Sequence, residues 1–235
     1  MEYHEISERL THLAAKYNSP EFFINDPVAI PKHFFDLFKK GEATLQDIEI
    51  SAVISAHLAW GRRDMIVRDC KRAMEEMNWK PYDYVIKGIY RSDDKSLHRT
   101  IKWSEFGGIC SRLRDFYSTS VSIELMTPIQ IRERIYGKKI DKKAANKKIH
   151  MLRRWMVRDD GIVDIGIWKN IPVTELIIPL DVHVHRSALE LGITKRKSAD
   201  IVTAEEITGF LKKVFPNDPC LGDFALFAYA ASQNN

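Results

Sequence analysis

Cysteine and long apolar runs are scarce in this sequence, and each scarcity excludes a class of protein. The three cysteines, Cys70, Cys110 and Cys220, are far apart. Isolated thiols in odd number form neither a disulfide framework nor a four-thiolate metal or iron–sulfur site. No apolar run reaches the length of a membrane span, and the first ten residues lack a signal-peptide stretch. We therefore expect a cytoplasmic protein with no membrane association and no cofactor.

Strands are also scarce, whereas helical patterns fill the chain. The 235 residues are 45% apolar and 29% charged, which is typical of a folded globular protein. Apolar residues recur at helical spacing, and prolines fall mostly between the helical segments. We predict an all-α chain that folds as one unit. The expected helices are residues 5–17, 27–41, 44–61, 62–79, 81–90, 104–117, 122–136, 147–158, 181–191, 203–215 and 219–231. Residues 176–178 fit either a short strand or buried chain.

Positive charge is concentrated in one segment. Residues 131–158 hold eleven Lys/Arg against two acids, although the whole chain has a net charge of only +4. Such a segment is either a solvated helix face or a surface for a polyanion. The arginines favour the polyanion, because a guanidinium binds phosphate through a planar fork. We expect residues of this segment, and Arg186 on the next predicted helix, to contact DNA. They are Lys138, Lys139, Lys142, Lys143, Lys148, Arg153, Arg154, Arg158 and Arg186.

Asp181 follows a proline and precedes a helical pattern that ends at Gly192. It is therefore well placed as the N-cap of a helix, where a carboxylate contributes about 1 kcal/mol. A second interpretation makes Asp181, His183 and His185 ligands of a metal ion. In a strand these side chains would converge, but on a helix residues two apart point in nearly opposite directions. The helical pattern therefore argues against a metal site.

Three segments carry a resemblance to a known superfamily. Pro179-Leu-Asp-Val-His-Val-His-Arg186 resembles the aspartate segment of the helix–hairpin–helix DNA glycosylases. Ile54-Ser-Ala-His57 is similar to a Leu-Ser-Ala-Gln motif on a core helix of that superfamily. Ala144-Ala-Asn-Lys-Lys-Ile149 is similar to the junction that presents its catalytic lysine. The resemblance covers about residues 48–192, and the interval from Lys147 to Asp181 resembles the archaeal oxidised-guanine glycosylases.

The chain is also similar to an uncharacterised bacterial family of that superfamily, especially in Arg154-Trp-Met-Val-Arg158 and Val163-Asp-Ile-Gly-Ile-Trp168. The resemblance implies a single domain, residues 1–235, made of two packed helical lobes. A six-helix lobe would span about residues 44–136, and the N-terminal helices with residues 137–235 would form the other. The Gly-x-Gly of the hairpin is absent, so the helix–hairpin–helix is expected to be degenerate.

The resemblance also implies the roles of individual residues. Lys147 would attack the sugar of a damaged nucleotide, and Asp181 would be the catalytic carboxylate. Lys148 is the alternative nucleophile, but Ile149, Leu152 and Met156 define a buried helix face that favours Lys147. A flipped base needs a pocket, for which His57, Trp60, Trp155 and Trp168 are the candidates, although each is also a plausible core residue.

The expected function is excision of a damaged base from double-stranded DNA, with or without a strand-cleaving lyase step. No obligate protein partner is expected. One alternative is a relative that binds DNA without cutting it. The other alternative is a metal-dependent hydrolase that uses Asp181, His183 and His185.

Overall fold

The computed structural model describes residues 2–232, with side chains to residue 230, and this part of the chain is essentially all-α. The fold class predicted from the sequence is therefore confirmed. The α-helices are α1 (Tyr3–Tyr17), α2 (Ala29–Lys39), α3 (Leu45–Leu58), α4 (Arg63–Glu76), α5 (Pro81–Lys87), α6 (Trp103–Tyr117), α7 (Pro128–Gln130), α8 (Lys147–Val157), α9 (Val182–Glu190), α10 (Ile201–Val214) and α11 (Leu221–Ser232).

The remaining elements are short. Pro20–Phe23 and Val173–Glu175 are 3-10 turns, and α7 continues as a turn of π-helix, Ile131–Ile135. One antiparallel hairpin joins β1 (Ser96–His98) to β2 (Ile101–Lys102). The sequence did not predict this hairpin, because its strands are too short to show a period of two. Leu176 and Ile178, the two buried members of residues 176–178, lie in chain that forms no strand.

Side-chain caps explain where several helices begin. Thr44 and Asp47 form the reciprocal capping box that the sequence predicted for α3. Asp200 accepts a hydrogen bond from the backbone N–H of Thr203 at the start of α10. The helix predicted over residues 122–136 starts later, because Thr127 and Gln130 make their own capping box at α7.

The chain forms two compact units. One contains the chain up to Phe22 and the chain from Asp141 onward, and the other is Phe23–Ile140. The helix α2 belongs to the second unit and packs against α3. The lobe boundaries expected from the resemblance stay a prediction.

The second unit is built on α3, which is buried from Asp47 to Leu58. Its one fully buried acid, Glu49, accepts hydrogen bonds from the Tyr117 hydroxyl, the Ser122 hydroxyl and the Ile123 N–H. These donors compensate the carboxylate for its lost hydration. A charged residue therefore occupies a helix that the sequence marks as core.

In the first unit, α11 packs against α1 and α9. The helix α8 buries Ile149, Leu152 and Met156, as its apolar spacing predicts. Within residues 2–232, no helix has both the length and the apolar character needed to cross a membrane.

Candidate functional site

Lys147 is the first residue of α8. Backbone hydrogen bonds fix the conformation of the residues just before it. Asn146 adopts a left-handed conformation with φ of 46°, which asparagine tolerates better than most residues. Its carbonyl accepts hydrogen bonds from the N–H groups of Ile149 and His150. The preceding chain is tied to the start of α10, because the Lys143 carbonyl accepts from the Ile201 N–H. Hydrogen bonds within the first turn of α8 and from the start of α10 therefore fix the backbone position of Lys147.

Asp181 is the N-cap of α9, as the sequence predicts. Its Oδ1 accepts hydrogen bonds from the N–H groups of His183 and Val184, each at 2.9 Å. Its Oδ2 lies 3.9 Å from Lys147 Nζ. The side chains of Lys147 and Asp181 are 32% and 22% exposed, so solvent reaches both partners. The structure thus brings together the two residues that the sequence selects as the reactive pair.

Lys147, Arg154 and Arg158 lie on one side of α8 and its C-cap, and Lys147 is the most exposed of the three. Arg154 and Arg158 follow it by seven and eleven residues, which returns each to the same side of a helix. Arg154 Nη1 lies 2.6 Å from Asp223 Oδ2, and its Nε lies 3.4 Å from Asp164 Oδ2.

Arg158 is bound still more fully. Its Nη1 lies 2.7 Å from Asp160 and 3.1 Å from Asp164, and its Nε lies 2.6 Å from Asp218. The charges of Asp164, Asp218 and Asp160 outweigh the effect of burial and raise the pKa of the Arg158 guanidinium.

This network corrects the expectation that Arg154 and Arg158 contact DNA. Arg154 is 6% exposed and Arg158 is 2% exposed. A buried guanidinium that already holds two or three carboxylates has no accessible face for a phosphate. Arg153 is half-buried, and burial lowers the pKa of its guanidinium, an effect that the charge of Glu175 partly offsets.

Asp223 belongs to the ion network and is also influenced by the charges of Lys147 and Asp181. This carboxylate is at the start of α11, near the end of the chain. Burial raises the pKa of Asp223 to about 6, and the negative charge of Asp181 adds to the rise. The positive charges of Arg154 and Lys147 act in the opposite direction. The charges of Arg154, Lys147 and Asp181 therefore all act on the Asp223 carboxyl.

Asp164, Asp218 and Asp223 were missed by reasoning from sequence. The one available signal was for Asp223, which is an acid inside an otherwise apolar helix segment. Buried acids are rare unless they are paired, so the pattern indicates a buried cation. Nothing local identifies Arg154 as that cation.

The four residues proposed for the base pocket do not all belong to the same compact unit. Trp155 and Trp168 lie in the first unit and are 0% and 1% exposed. The Trp155 carbonyl accepts hydrogen bonds from the N–H groups of Ile165 and Gly166, which packs the following loop onto α8. This burial corrects the pocket expectation for both tryptophans, because neither ring has a face open to a base.

His57 and Trp60 lie in the second unit. His57 is 5% exposed, pairs with Glu105 at 2.9 Å and stacks on Tyr136. This hydrogen bond from His57 is the main reason why the pKa of Glu105 falls to about 2, although burial opposes it, and Lys138 contributes to the fall. The guanidinium of Arg99 covers the Trp60 ring at 4.2 Å.

The remaining predicted DNA contacts are at the surface. In the first unit Lys142, Lys143 and Arg186 are exposed and Lys148 is half-buried. In the second unit Lys138 and Lys139 are exposed, and Lys138 Nζ also lies 2.9 Å from Glu105. These side chains keep the accessibility that phosphate contact needs.

Asp181, His183 and His185 do not form a metal site in the described structure. The ring of His183 contacts that of Phe227, whereas His185 Nε2 is 2.8 Å from the Arg196 carbonyl oxygen. The two imidazoles diverge, as positions two apart on a helix must. Among the described residues no group of three His, Cys, Asp or Glu side chains could hold a metal ion.

The fold and the site together define an all-α protein that carries a partly exposed lysine–aspartate pair above a buried ion network. The chain belongs to the family described as Protein of unknown function (DUF2400), whose model matches residues 26–134 and 130–232. No curated protein and no solved structure matches the chain.

Proposed function

We propose that this protein is a DNA glycosylase of the helix–hairpin–helix type, which removes a damaged base through Lys147 and Asp181. The observation that carries the proposal is the distance of 3.9 Å between Lys147 Nζ and Asp181 Oδ2 in a pair that solvent reaches. The resemblance of residues 48–192 to that superfamily supports the same two residues.

The proposed reaction uses the amine as nucleophile. The neutral Lys147 amine attacks C1′ of the damaged nucleotide while the N-glycosidic bond breaks. The electron pair of that bond leaves with the base, which takes up a proton. The Asp181 carboxylate stabilises positive charge that develops at C1′ and accepts a proton from the attached nitrogen. Ring opening then gives a Schiff base between Lys147 and the sugar.

The proposed DNA-contacting surface consists of the exposed cations before and around the start of α8. In the first unit these are Lys142 and Lys143, together with Arg186 on α9, and the half-buried Lys148 lies beside them at the start of α8. In the second unit, considered by itself, the exposed Lys138 and Lys139 are further candidates for phosphate contact. Arg154 and Arg158 are not included, because their carboxylate partners hold them inside the protein.

A second candidate function is DNA binding without catalysis. The observation that favours it is that Asp181 already has a structural role, since its Oδ1 caps α9. A residue needed as a cap would be kept even if the reaction had been lost. The missing Gly-x-Gly of the hairpin also fits a relative that no longer cuts DNA.

The test is borohydride trapping on a panel of damaged duplexes. Borohydride reduces the carbon–nitrogen double bond of the Schiff base and leaves protein and DNA joined covalently. We expect a trapped complex with the parent protein and none with Lys147→Gln, which keeps the chain length but has no amine. Lys148→Gln is the matched control and should trap normally.

Three outcomes would change the proposal. Loss of trapping in Lys148→Gln, with trapping retained in Lys147→Gln, would move the nucleophile by one residue. Base excision without any trapped adduct would assign a mechanism in which water attacks and Lys147 has another role. Specific binding to damaged duplexes without excision of any lesion would favour the non-catalytic relative.

A further inference from the structure

The turn between β1 and β2 presents Arg99 on the surface of the second unit. Arg99 has a φ of 55°, a left-handed conformation that hairpin turns normally give to glycine or asparagine. The Ser96 hydroxyl donates a hydrogen bond of 2.7 Å to the Arg99 carbonyl and holds the turn in this form. A long cationic side chain therefore occupies a position where its backbone conformation is unfavourable.

The Arg99 guanidinium lies on an aromatic ring from a neighbouring loop. Its Cζ is 4.2 Å from the centroid of the half-buried Trp60 ring, a geometry in which a cation is attracted to the face of an indole. Gly61 follows Trp60, and a Cβ at Gly61 would displace the guanidinium from this place. The ring and the bare backbone beside it together fix the position of the guanidinium.

Buried hydrogen bonds hold the hairpin and the Trp60 loop together. His98, the residue before Arg99, has its Nδ1 2.8 Å from Asp69 Oδ2 and its Nε2 2.9 Å from the Trp60 carbonyl oxygen. The side chains of His98 and Asp69 are 0% and 1% exposed. Arg99 and the ring beneath it are therefore carried by chain segments that one buried imidazole joins.

The face and the edge of the Arg99 guanidinium have different neighbours. Stacking on Trp60 uses the face of the planar group, whereas its N–H donors point outward in the plane. Lys102 on the same hairpin lies 3.3 Å from Asp94. In the part of the chain that the structure describes, Arg99 has no such carboxylate partner. The edge of this guanidinium is thus available to an anion from outside the protein.

We propose that Arg99, stacked on Trp60, binds a phosphate of the DNA backbone. The edge of a guanidinium can donate two parallel hydrogen bonds to one phosphate. Arg62 and Arg63, which follow Gly61, are also exposed and add positive charge near the contact. A contact of this kind positions the duplex and carries no sequence information. The sequence did not select Arg99, because Trp60 is far from it in the chain.

The test measures binding of the full protein to an undamaged, fluorescein-labelled duplex by anisotropy over a series of salt concentrations. Arg99→Asn removes the guanidinium, and asparagine tolerates the left-handed backbone of the turn. The matched control is Lys102→Asn, which removes one positive charge from the same hairpin. Lys102 is 52% exposed and already paired with Asp94. Circular dichroism checks that each variant is folded.

At roughly 0.1 M salt we expect Arg99→Asn to lower the affinity about eightfold, and the slope of log affinity against log salt to become shallower by about 0.9. Both values correspond to the counterions that one phosphate contact releases. Lys102→Asn should stay near the parent affinity and slope. An unchanged slope in Arg99→Asn overturns the inference, as does an equal loss in Lys102→Asn or a parent protein that binds no duplex.

Two further variants separate the stacked fork from its charge. Arg99→Lys keeps the positive charge but has no planar fork, so we expect it to bind the duplex more weakly than the parent protein. Trp60→Leu keeps Arg99 and removes the ring beneath it, and it should also weaken binding without any change in net charge. Parent affinity in Arg99→Lys would show that any cation suffices and would overturn the stacked contact.

This inference rests on the proposed function only in taking duplex DNA as the ligand. Binding of an undamaged duplex needs no excision, so the two can fail separately. Loss of one phosphate contact in Arg99→Asn, in a protein that excises no lesion, keeps the inference and removes the glycosylase proposal. Lesion excision by a protein whose affinity for DNA ignores Arg99 does the reverse.

Discussion

Arg158 Nη1 lies 3.1 Å from Asp164 Oδ2, and both side chains are almost completely buried. The same guanidinium also binds Asp160 and Asp218. One cation therefore joins the end of α8, the loop that follows it and the chain before α11. An arginine that the sequence marks as a DNA contact is a central element of the interior.

We predict that Arg158→Met lowers the free energy of unfolding by roughly 3–5 kcal/mol, because it leaves buried carboxylates without their cation. Denaturant unfolding followed by circular dichroism gives this number. The control is Arg186→Met on α9. Arg186 is 45% exposed and lies 3.9 Å from Glu190, and the loss there should stay below about 1 kcal/mol. Similar losses in both variants would contradict the structural role of Arg158.

Two substitutions at Asp181 separate its cap from its charge. Asp181→Ala removes both and should destabilise the protein by about 1 kcal/mol, whereas Asp181→Asn keeps a capping oxygen and should cost much less. Excision of any accepted lesion should fall sharply in both variants, since both lack the carboxylate. If Asp181→Asn excises the lesion at the parent rate, Asp181 is only a cap.

Binding to DNA should depend strongly on salt. If several lysines displace counterions from phosphates, the plot of log affinity against log salt has a slope of roughly −0.9 per contact. Lys142→Glu should weaken binding and make this slope shallower, with the fold intact because Lys142 is exposed. Lys212→Glu on α10 makes the same charge change away from the proposed surface and should leave the slope as it is. Affinity that ignores salt would remove DNA from the proposal.

His150 should make the protein sensitive to acid. Burial, with the charge of Arg153, lowers its pKa from 6.5 to about 4, and its Nε2 is buried without a hydrogen-bond partner. Because the unfolded chain takes up this proton at a higher pH, stability falls as pH drops from about 6.5 to 4. The full shift corresponds to roughly 3 kcal/mol.

The measurement for His150 is the free energy of unfolding at pH 7.5 and pH 4.5. The difference between the two values should be smaller in His150→Leu than in the parent protein, by about 2–3 kcal/mol. His12→Gln, on an exposed position of α1, should keep the parent difference. Equal differences in all three proteins would show that His150 does not titrate as proposed.

The sequence by itself determined the secondary structure around the site. The N-cap at Asp181, the capping box at Thr44 and the buried face of α8 depend on residues within a few positions of one another. Periodicity and capping report such local relationships directly. The roles of Lys147 and Asp181 came instead from the resemblance, and the structure places both residues at the helix starts that the sequence predicted.

Only the tertiary structure decided which charges are buried. Arg154 and Arg158 fit a basic surface as well as an ion network, because helical spacing does not show what covers a face. Their partners Asp223 and Asp218 lie 69 and 60 residues away in the chain. A buried cation is tolerated only when folding brings distant carboxylates to it. Local sequence patterns do not predict such contacts between residues far apart in the chain. For the same physical reason the sequence did not identify the partner of Asp223, because its ion pair with Arg154 forms only when the chain folds.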